Sequence, residues 1–350
     1  APRIFLSAED KLKKVDGIGS KIARTISSFS FEELKKELEL AKKLKVKIIT
    51  VGDKEYPENL KNIYDPALCL YVKGRLLPED NLSVAIVGSR RASFYGLSCA
   101  EKFSYQLASL GVTIVSGLAR GIDTQAHKGA LKAAGRTIAV LGSGLNCVYP
   151  PENKGLSEEI AERGALLSEF PLNTKPLAQN FPRRNRVISG LSQAVLVVEA
   201  ARNSGALITA DFALEQGRDV FAIPGKVDSA TSLGTNRLIK QGAKLIDNVE
   251  DIIEELKAEL KRFSPADVKN NYVKTYSAPR GKNNEQSLSK LSEEEKLVYG
   301  LLTDKPCYAD ELIEESKLPS AKVMSTLSKL EMQRIIKQLP GKLFSKAEDH

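Results

Sequence analysis

Five short apolar runs, at residues 84–87, 112–115, 138–141, 195–198 and 220–223, each stop abruptly at Ser, Gly, Glu or Pro. Most are separated by stretches long enough for a helix. Strands that are continuously apolar, rather than alternating, are buried on both faces, and spacing them by helices predicts a parallel sheet covered by helices on both sides. Sheets of this kind bind ligands at the carboxyl ends of their strands, near the point where the strand order switches. The unusual residues of the chain fall at those ends: Gly88-Ser89-Arg90, Ser116-Gly117-Leu118-Ala119-Arg120-Gly121, Gly142-Ser143-Gly144, Glu199 and Pro224-Gly225.

The first of these clusters carries the most chemistry. Gly88 permits a tight turn, and the residues from there through Leu107 have helical periodicity. Free N–H groups at such a helix start favour an anion, and Arg90 adds a planar fork suited to phosphate. The dinucleotide fingerprint is absent, because positions 88, 90 and 93 hold Gly, Arg and Ser where three glycines are required. Taken alone, the turn fits a phosphate site and an unliganded glycine turn equally well.

Residues 181–186, Phe-Pro-Arg-Arg-Asn-Arg, concentrate Arg183, Arg184 and Arg186 behind an aromatic. Guanidinium groups hold phosphates, and a phenyl face stacks on an unpaired base. The alternative for such a run is a solvated charge cluster. Its place between the loop Ser168-Glu169-Phe170-Pro171 and the run at 195–198 puts it over the same sheet edge as Arg90. Lys154, in the loop after Gly142, projects toward that edge too. The expected surface is a basic groove that contacts backbone and base faces, as single-strand binders do.

Catalysis finds little material. Glu199, Glu169 and Asp123 are the available carboxylates, and Ser116 and Ser204 the available nucleophiles. Of two histidines, His350 is terminal and His127 falls in an expected helix with a packing or capping role. No Walker lysine or metal-ligand spacing is present, so no catalytic residue, metal or cofactor is expected. Glu199 is expected to accept hydrogen bonds from the loop near Ser204 and Gly205. The net charge of +8 and pI near 9.1 are compatible with a polyanionic partner. Cys69, Cys99, Cys147 and Cys307 lie far apart, which suits reduced thiols and a cytoplasmic location. No apolar run approaches the roughly 20 residues of a membrane span and no signal peptide is visible.

Along the chain, the sequence divides into a helical domain (1–75), an α/β core (76–258), a flexible basic linker (259–288) and a C-terminal domain (289–350). In the first, Val15-Asp16-Gly17-Ile18-Gly19 between two helical patterns reads as a helix-hairpin-helix, either a phosphate contact or a small packing unit. In the last, three short helical patterns followed by two strands around Pro340-Gly341 read as a winged helix, with residues 320–332 as the helix that reads duplex DNA or docks a protein.

These motifs, together with SGALITA at 204–210, FAIPG at 221–225 and the segment Gly234-Thr235-Asn236-Arg237-Leu238-Ile239, closely resemble the bacterial DNA-processing protein A (DprA/Smf) family over about residues 50–255. The resemblance implies an extended Rossmann-like α/β fold, binding of single-stranded DNA without sequence preference, a homodimer formed through the core, and loading of the RecA recombinase during natural transformation. Carried over by motif, Arg90 and Lys154 contact phosphates, Phe181 stacks on a base, and Arg184 and Arg186 line the pocket. Gly88, Ser89, Arg183, Asn185, Arg202, Ser204 and Gly205 complete the expected DNA-binding set. One departure stands out: many relatives have a basic residue just before the Ser-Gly of SGALITA, whereas here Asn203 follows Arg202. The competing reading is a nucleotide-binding enzyme or sensor of the related phosphoribohydrolase-like superfamily. Its Pro-Gly-Gly-x-Gly-Thr loop is not matched, because Pro224-Gly225 is followed by Lys226 and Val227.

Overall fold

The structure is a computed structural model, which describes residues 9–263, 292–302, 307–332, 336–339 and 343–346. Three helices open the described chain: α1 (Glu9–Leu12), α2 (Ser20–Ser27) and α3 (Phe31–Lys43). Gly17, at φ +80°, makes the turn between the first two, and the Ser30 hydroxyl caps α3 by accepting from the Glu33 N–H.

The chain then builds one nine-stranded sheet. Its elements are β1 (Lys47–Thr50), α4 (Glu58–Lys61), β2 (Cys69–Gly74), β3 (Ser83–Val87), α5 (Phe94–Ser109), β4 (Thr113–Ser116), α6 (Ile122–Lys132), β5 (Thr137–Val140) and α7 (Lys154–Arg163). They continue with β6 (Ala165–Ser168), α8 (Asn180–Leu191), β7 (Ala194–Val197), α9 (Gly205–Glu215), β8 (Asp219–Ala222), α10 (Leu233–Lys240), β9 (Lys244–Leu245) and α11 (Glu250–Phe263). The strand order is β1-β2-β6-β5-β4-β3-β7-β8-β9. From β6 to β9 every pairing is parallel. Each of the five apolar runs forms a strand within one residue of its expected bounds, and β3 through β7 are buried along their whole length.

Two strands depart from the all-parallel expectation. β2 is antiparallel to β6, and β1 is antiparallel to β2. Their burial fits that pairing, since antiparallel strands near a sheet margin cover one face and leave the other partly open, as the alternation along β2 shows. Thus residues 47–74 belong to the sheet, and the division expected after residue 75 falls on the far side of two of its strands.

Two apolar layers sandwich the sheet. One packs α5, α6 and α11 on Val84, Ile86, Ile114 and Leu196. The other packs α4, α8, α9 and α10 on Ala85, Val87, Val115, Ile138 and Val195. Burying side chains of this size stabilises by about 1.5–3 kcal/mol each, and the alternation along each strand feeds both layers at once. Because β3 lies between β4 and β7, the connections leave it in opposite directions, and the strand order switches there.

The first residues of the linker expected from Glu259 are helical, since α11 continues to Phe263. The rest of that linker, through residue 288, lies outside the described residues. The C-terminal unit contains α12 (Glu293–Leu301), β10 (Cys307–Tyr308), α13 (Ala309–Ser316), α14 (Ser320–Met332), β11 (Ile336–Leu339) and β12 (Leu343–Lys346). Its three strands pair in the order β10-β12-β11 around a core of Val298, Leu312, Val323, Leu327, Ile336 and Phe344. This is a winged helix whose wing gains a short third strand at Cys307 and Tyr308. Among the described residues no helix is long and apolar enough to cross a membrane.

Candidate nucleic-acid interface

The loops that leave β3, β4 and β5 meet the first turn of α8 at the carboxyl edge of the sheet, around a small cleft. Arg90, Gly117, Ala119, Arg120, Tyr149, Pro150, Phe181 and Arg184 line it. At its centre the Arg90 guanidinium carbon sits 5.2 Å from the centroid of the Phe181 ring. On the buried side the Arg184 guanidinium stands 5.9 Å from the same centroid, and the Tyr149 ring packs tilted at 5.9 Å.

The residues at 181–186 lie within α8, in its first two turns. Pro182 is the third residue of α8, where the missing N–H costs nothing because first-turn donors have no intrahelical partner. Helical geometry then sorts the run into two faces. Phe181, Arg184 and Asn185 share one. Arg184 is 4 % exposed and donates from Nη1 to the carbonyls of Gly117, at 2.6 Å, and Val140. Asn185 reaches the Gly205 carbonyl at 3.2 Å, tying α8 to the start of α9. Arg183 and Arg186 point the other way, to Glu169. Arg186 pairs with Glu169 and Asp65, while Arg183 lies 3.5 Å from Glu169 and over the Phe170 ring. Arg186 is therefore bound in an ion-pair network and does not line the cleft. Phe181 is half-buried, and Arg90 covers its outer face.

Burial pulls the Arg184 guanidinium down to about 10, opposed by nearby Asp123, which leaves it charged at neutral pH. Burial also raises the Asp123 carboxyl, opposed by Arg184 and by the hydrogen bonds it accepts from the N–H groups of Gly117 and Ala119. Desolvation likewise raises Glu169, against the pull of Arg186 and Arg183.

Two glycines make the assembly possible. A Cβ on Gly142 would lie 2.8 Å from the Phe181 ring, so only glycine lets the aromatic rest on the end of β5. Gly121, at φ +76°, passes so close to the Ser89 carbonyl that a Cβ would meet it at 2.2 Å. There the β4–α6 turn crosses the β3–α5 turn, and the Ile122 N–H donates to the Ser89 carbonyl.

Other expected residues are placed as follows. Gly88 and Ser89 form the turn itself, with the Ser89 N–H donating to the Glu199 carbonyl at 2.7 Å. Lys154 is exposed at the start of α7, next to Asn153, whose amide donates to the Leu118 carbonyl and the Thr124 hydroxyl. Arg202 is exposed in the loop after β7, and Ser204 caps α9 by accepting from the Ala206 N–H. Glu199 does not serve the Ser204 loop as expected. Its Oε2 accepts from the Ser93 N–H at 2.8 Å and the Ser93 hydroxyl at 3.2 Å, across the sheet edge. His127 is buried, its Nδ1 2.7 Å from the Thr137 hydroxyl, and Ser116 donates to the Ile86 carbonyl. Both are packing elements.

Arg120 and Tyr149 line the cleft although neither stood among the expected contacts. Arg120 follows β4 as Arg90 follows β3, and that equivalence was the available signal. Its guanidinium is paired with Glu152, which keeps the arginine at the cleft mouth.

The sequence profile of the DNA recombination-mediator protein A family matches residues 47–257, and that of the DprA winged helix domain matches residues 282–342. The chain belongs to the DNA recombination-mediator protein A family. Among relatives of this DprA family member, protein Smf of Synechocystis sp. is 36% identical over 355 aligned residues, covering 94% of this chain and 88% of the relative. Protein Smf of Escherichia coli is 51% identical over 210 residues, which cover 60% of this chain and 56% of that protein. This chain thus matches little more than half the length of the Escherichia coli DprA relative. The X-ray structure of DprA from Streptococcus pneumoniae superposes with a TM-score of 0.64 at 39% identity, covering 71% of this chain and 86% of that one. DprA from Helicobacter pylori, solved to describe its unique single-stranded DNA binding mode, gives a TM-score of 0.54 at 30% identity over 61% of this chain and 97% of that one.

Proposed function

We propose that the chain binds single-stranded DNA without sequence preference, dimerises through its Rossmann-like core, and loads the RecA recombinase onto incoming DNA during natural transformation, catalysing no reaction itself. The observation that carries the DNA reading is the Arg90 guanidinium resting 5.2 Å above the Phe181 ring in a cleft walled by further cations. An unpaired base has the shape and polarisable face to take Arg90's place on that ring, while the released guanidinium is positioned for the flanking phosphate. Arg184 holds the ring from below, with its Nη1 spent on the Gly117 and Val140 carbonyls. At the mouth, a phosphate competes with Glu152 for Arg120. The membership in a recombination-mediator family supports the same reading, and the single-strand binding of the Helicobacter pylori relative is the precedent for it.

The engagement of Glu199 argues against the phosphoribohydrolase-like alternative. Its carboxylate is 3 % exposed and spent on Ser93, which leaves it poorly placed for acid–base work.

The test is a binding titration of the full chain against single-stranded and duplex DNA of one sequence at two salt concentrations. Single strands are expected to bind tighter, with a log–log salt slope of about 0.7 per phosphate contacted. Equal affinity for both forms, or no salt dependence, overturns the reading. Dimerisation is read by sedimentation, and loading by RecA filament growth on DNA coated with single-strand-binding protein.

A further inference from the structure

Beyond the Phe181 cleft, the carboxyl edge carries features that the cleft does not use. The adjacent strands β4, β3, β7 and β8 each end in a loop with an exposed cation: Arg120, Arg90 with Arg91, Arg202 and Lys226 respectively. Neighbouring strands are about 4.8 Å apart, so these loops set a row of positive charge across the edge. The carboxylates in that row are Glu152, already paired with Arg120, Glu199, buried on Ser93, and exposed Asp228.

An aromatic stands in the same row. Phe94, the first residue of α5, is 87 % exposed, although an aromatic ring left in water forgoes its burial energy. It is held in place. Ser93 before it is fixed by Glu199 and caps α5, and the hydroxyl of Tyr95 after it donates to the Pro224 carbonyl at 3.2 Å. That last bond joins the β3–α5 turn to the loop after β8, which presents Lys226 and the 88 %-exposed Val227. Phe181 rests on Gly142 at the end of β5, and Phe94 follows β3, with β4 between those two strands.

We propose that the carboxyl edge forms a continuous single-strand track running from β5 toward β8, with Phe94 as a second base-stacking platform beyond the Phe181 cleft. The proposal rests on the single-strand reading of that cleft. Ordered aromatics alternating with cations are what a sequence-tolerant strand path requires, since every base offers a ring face and every nucleotide a phosphate.

The experiment measures affinity of the full chain for oligothymidylates of about 4 and about 16 nucleotides, the extremes of common single-strand site sizes. It compares the wild type with Phe94→Ala, Phe94→Trp and Phe181→Ala. Phe94→Ala is expected to bind the short oligomer as the wild type does and the long one roughly five- to hundredfold more weakly, the range of one lost stack. Phe94→Trp is expected to keep wild-type affinity for both. If Phe94→Ala binds both lengths normally while Phe181→Ala is weakened, the track is overturned and the cleft stands. A wild type that binds neither oligomer overturns the single-strand reading and the track with it.

Discussion

The Glu199 carboxylate accepts two hydrogen bonds from Ser93, 106 residues earlier in the chain, and so fixes the turn that carries Arg90. The bond from Glu199 to the first turn of α5 joins the ends of β7 and β3, the two strands that meet where the order switches. Replacing Glu199 with Ala removes the carboxylate that accepts from the part-buried Ser93 N–H. The expected loss is about 1–3 kcal/mol of folding stability in a urea titration, together with weaker DNA binding from a loosened Arg90. Glu199→Gln, which still accepts a hydrogen bond, is expected to lose less of both.

Arg90→Ala and Phe181→Ala separate charge from stacking. The first is expected to weaken single-strand binding by about 1.5–3 kcal/mol and to lower the salt slope by about 0.7. The second is expected to cost about 1–3 kcal/mol with the slope unchanged. Anisotropy titrations over a salt series read both numbers, and wild-type binding by two folded variants would show the cleft to be misplaced.

Arg184 behaves differently, as a buried support. Arg184→Met leaves the Gly117 and Val140 carbonyls unserved and Asp123 without its nearby cation, and is expected to cost about 3 kcal/mol or more in stability. Arg184→Lys is not expected to restore it, because a point charge cannot reproduce the planar fork. Denaturation midpoints check both variants.

His127 gives the fold a pH dependence. The Thr137 hydroxyl donates to the Ile114 carbonyl, so it accepts from His127 Nδ1–H, and the buried Nε2 has no partner to receive a second proton. Burial accordingly holds the folded histidine down to about 3, against its usual 6.5. Between these values the unfolded chain binds more protons, so stability is full above about pH 6.5 and falls with acidification by up to about 1.4 kcal/mol per pH unit. His127→Asn is expected to flatten that slope. The difference between the two stability profiles isolates His127, since the carboxylates titrate in both proteins.

Removing residues 265–350 is expected to leave single-strand binding within about tenfold of the full chain, about 1.4 kcal/mol, because Arg90, Arg120, Phe181 and Arg202 all precede the cut. A gel-shift comparison of the folded truncated protein with the full chain measures it. A larger loss would make the winged helix a primary DNA site.

Elements governed by local pattern were legible in the sequence. Continuously apolar runs named the buried strands, and Gly88-Ser89-Arg90 marked the edge that holds the cleft. What the sequence hid depends on partners far along the chain. Glu199 was assigned to its near neighbours at Ser204 and Gly205, yet serves Ser93. Pro182 disguised the start of α8, and with the helix went the sorting of Arg184 inward and Arg186 toward Glu169. β6 went unrecognised because Ala165–Ser168 is too short to show a period, and β2 because it is half-buried and alternating rather than continuously apolar.

The position of β3 between β4 and β7 also governs when the site can come into being during synthesis. A nascent chain that has emerged through Phe181 already contains both faces of the stack. It lacks β7 and Glu199, the pieces that seat Arg90's turn. The cleft is therefore completed late, as a product of closing the sheet rather than of any segment folding by itself.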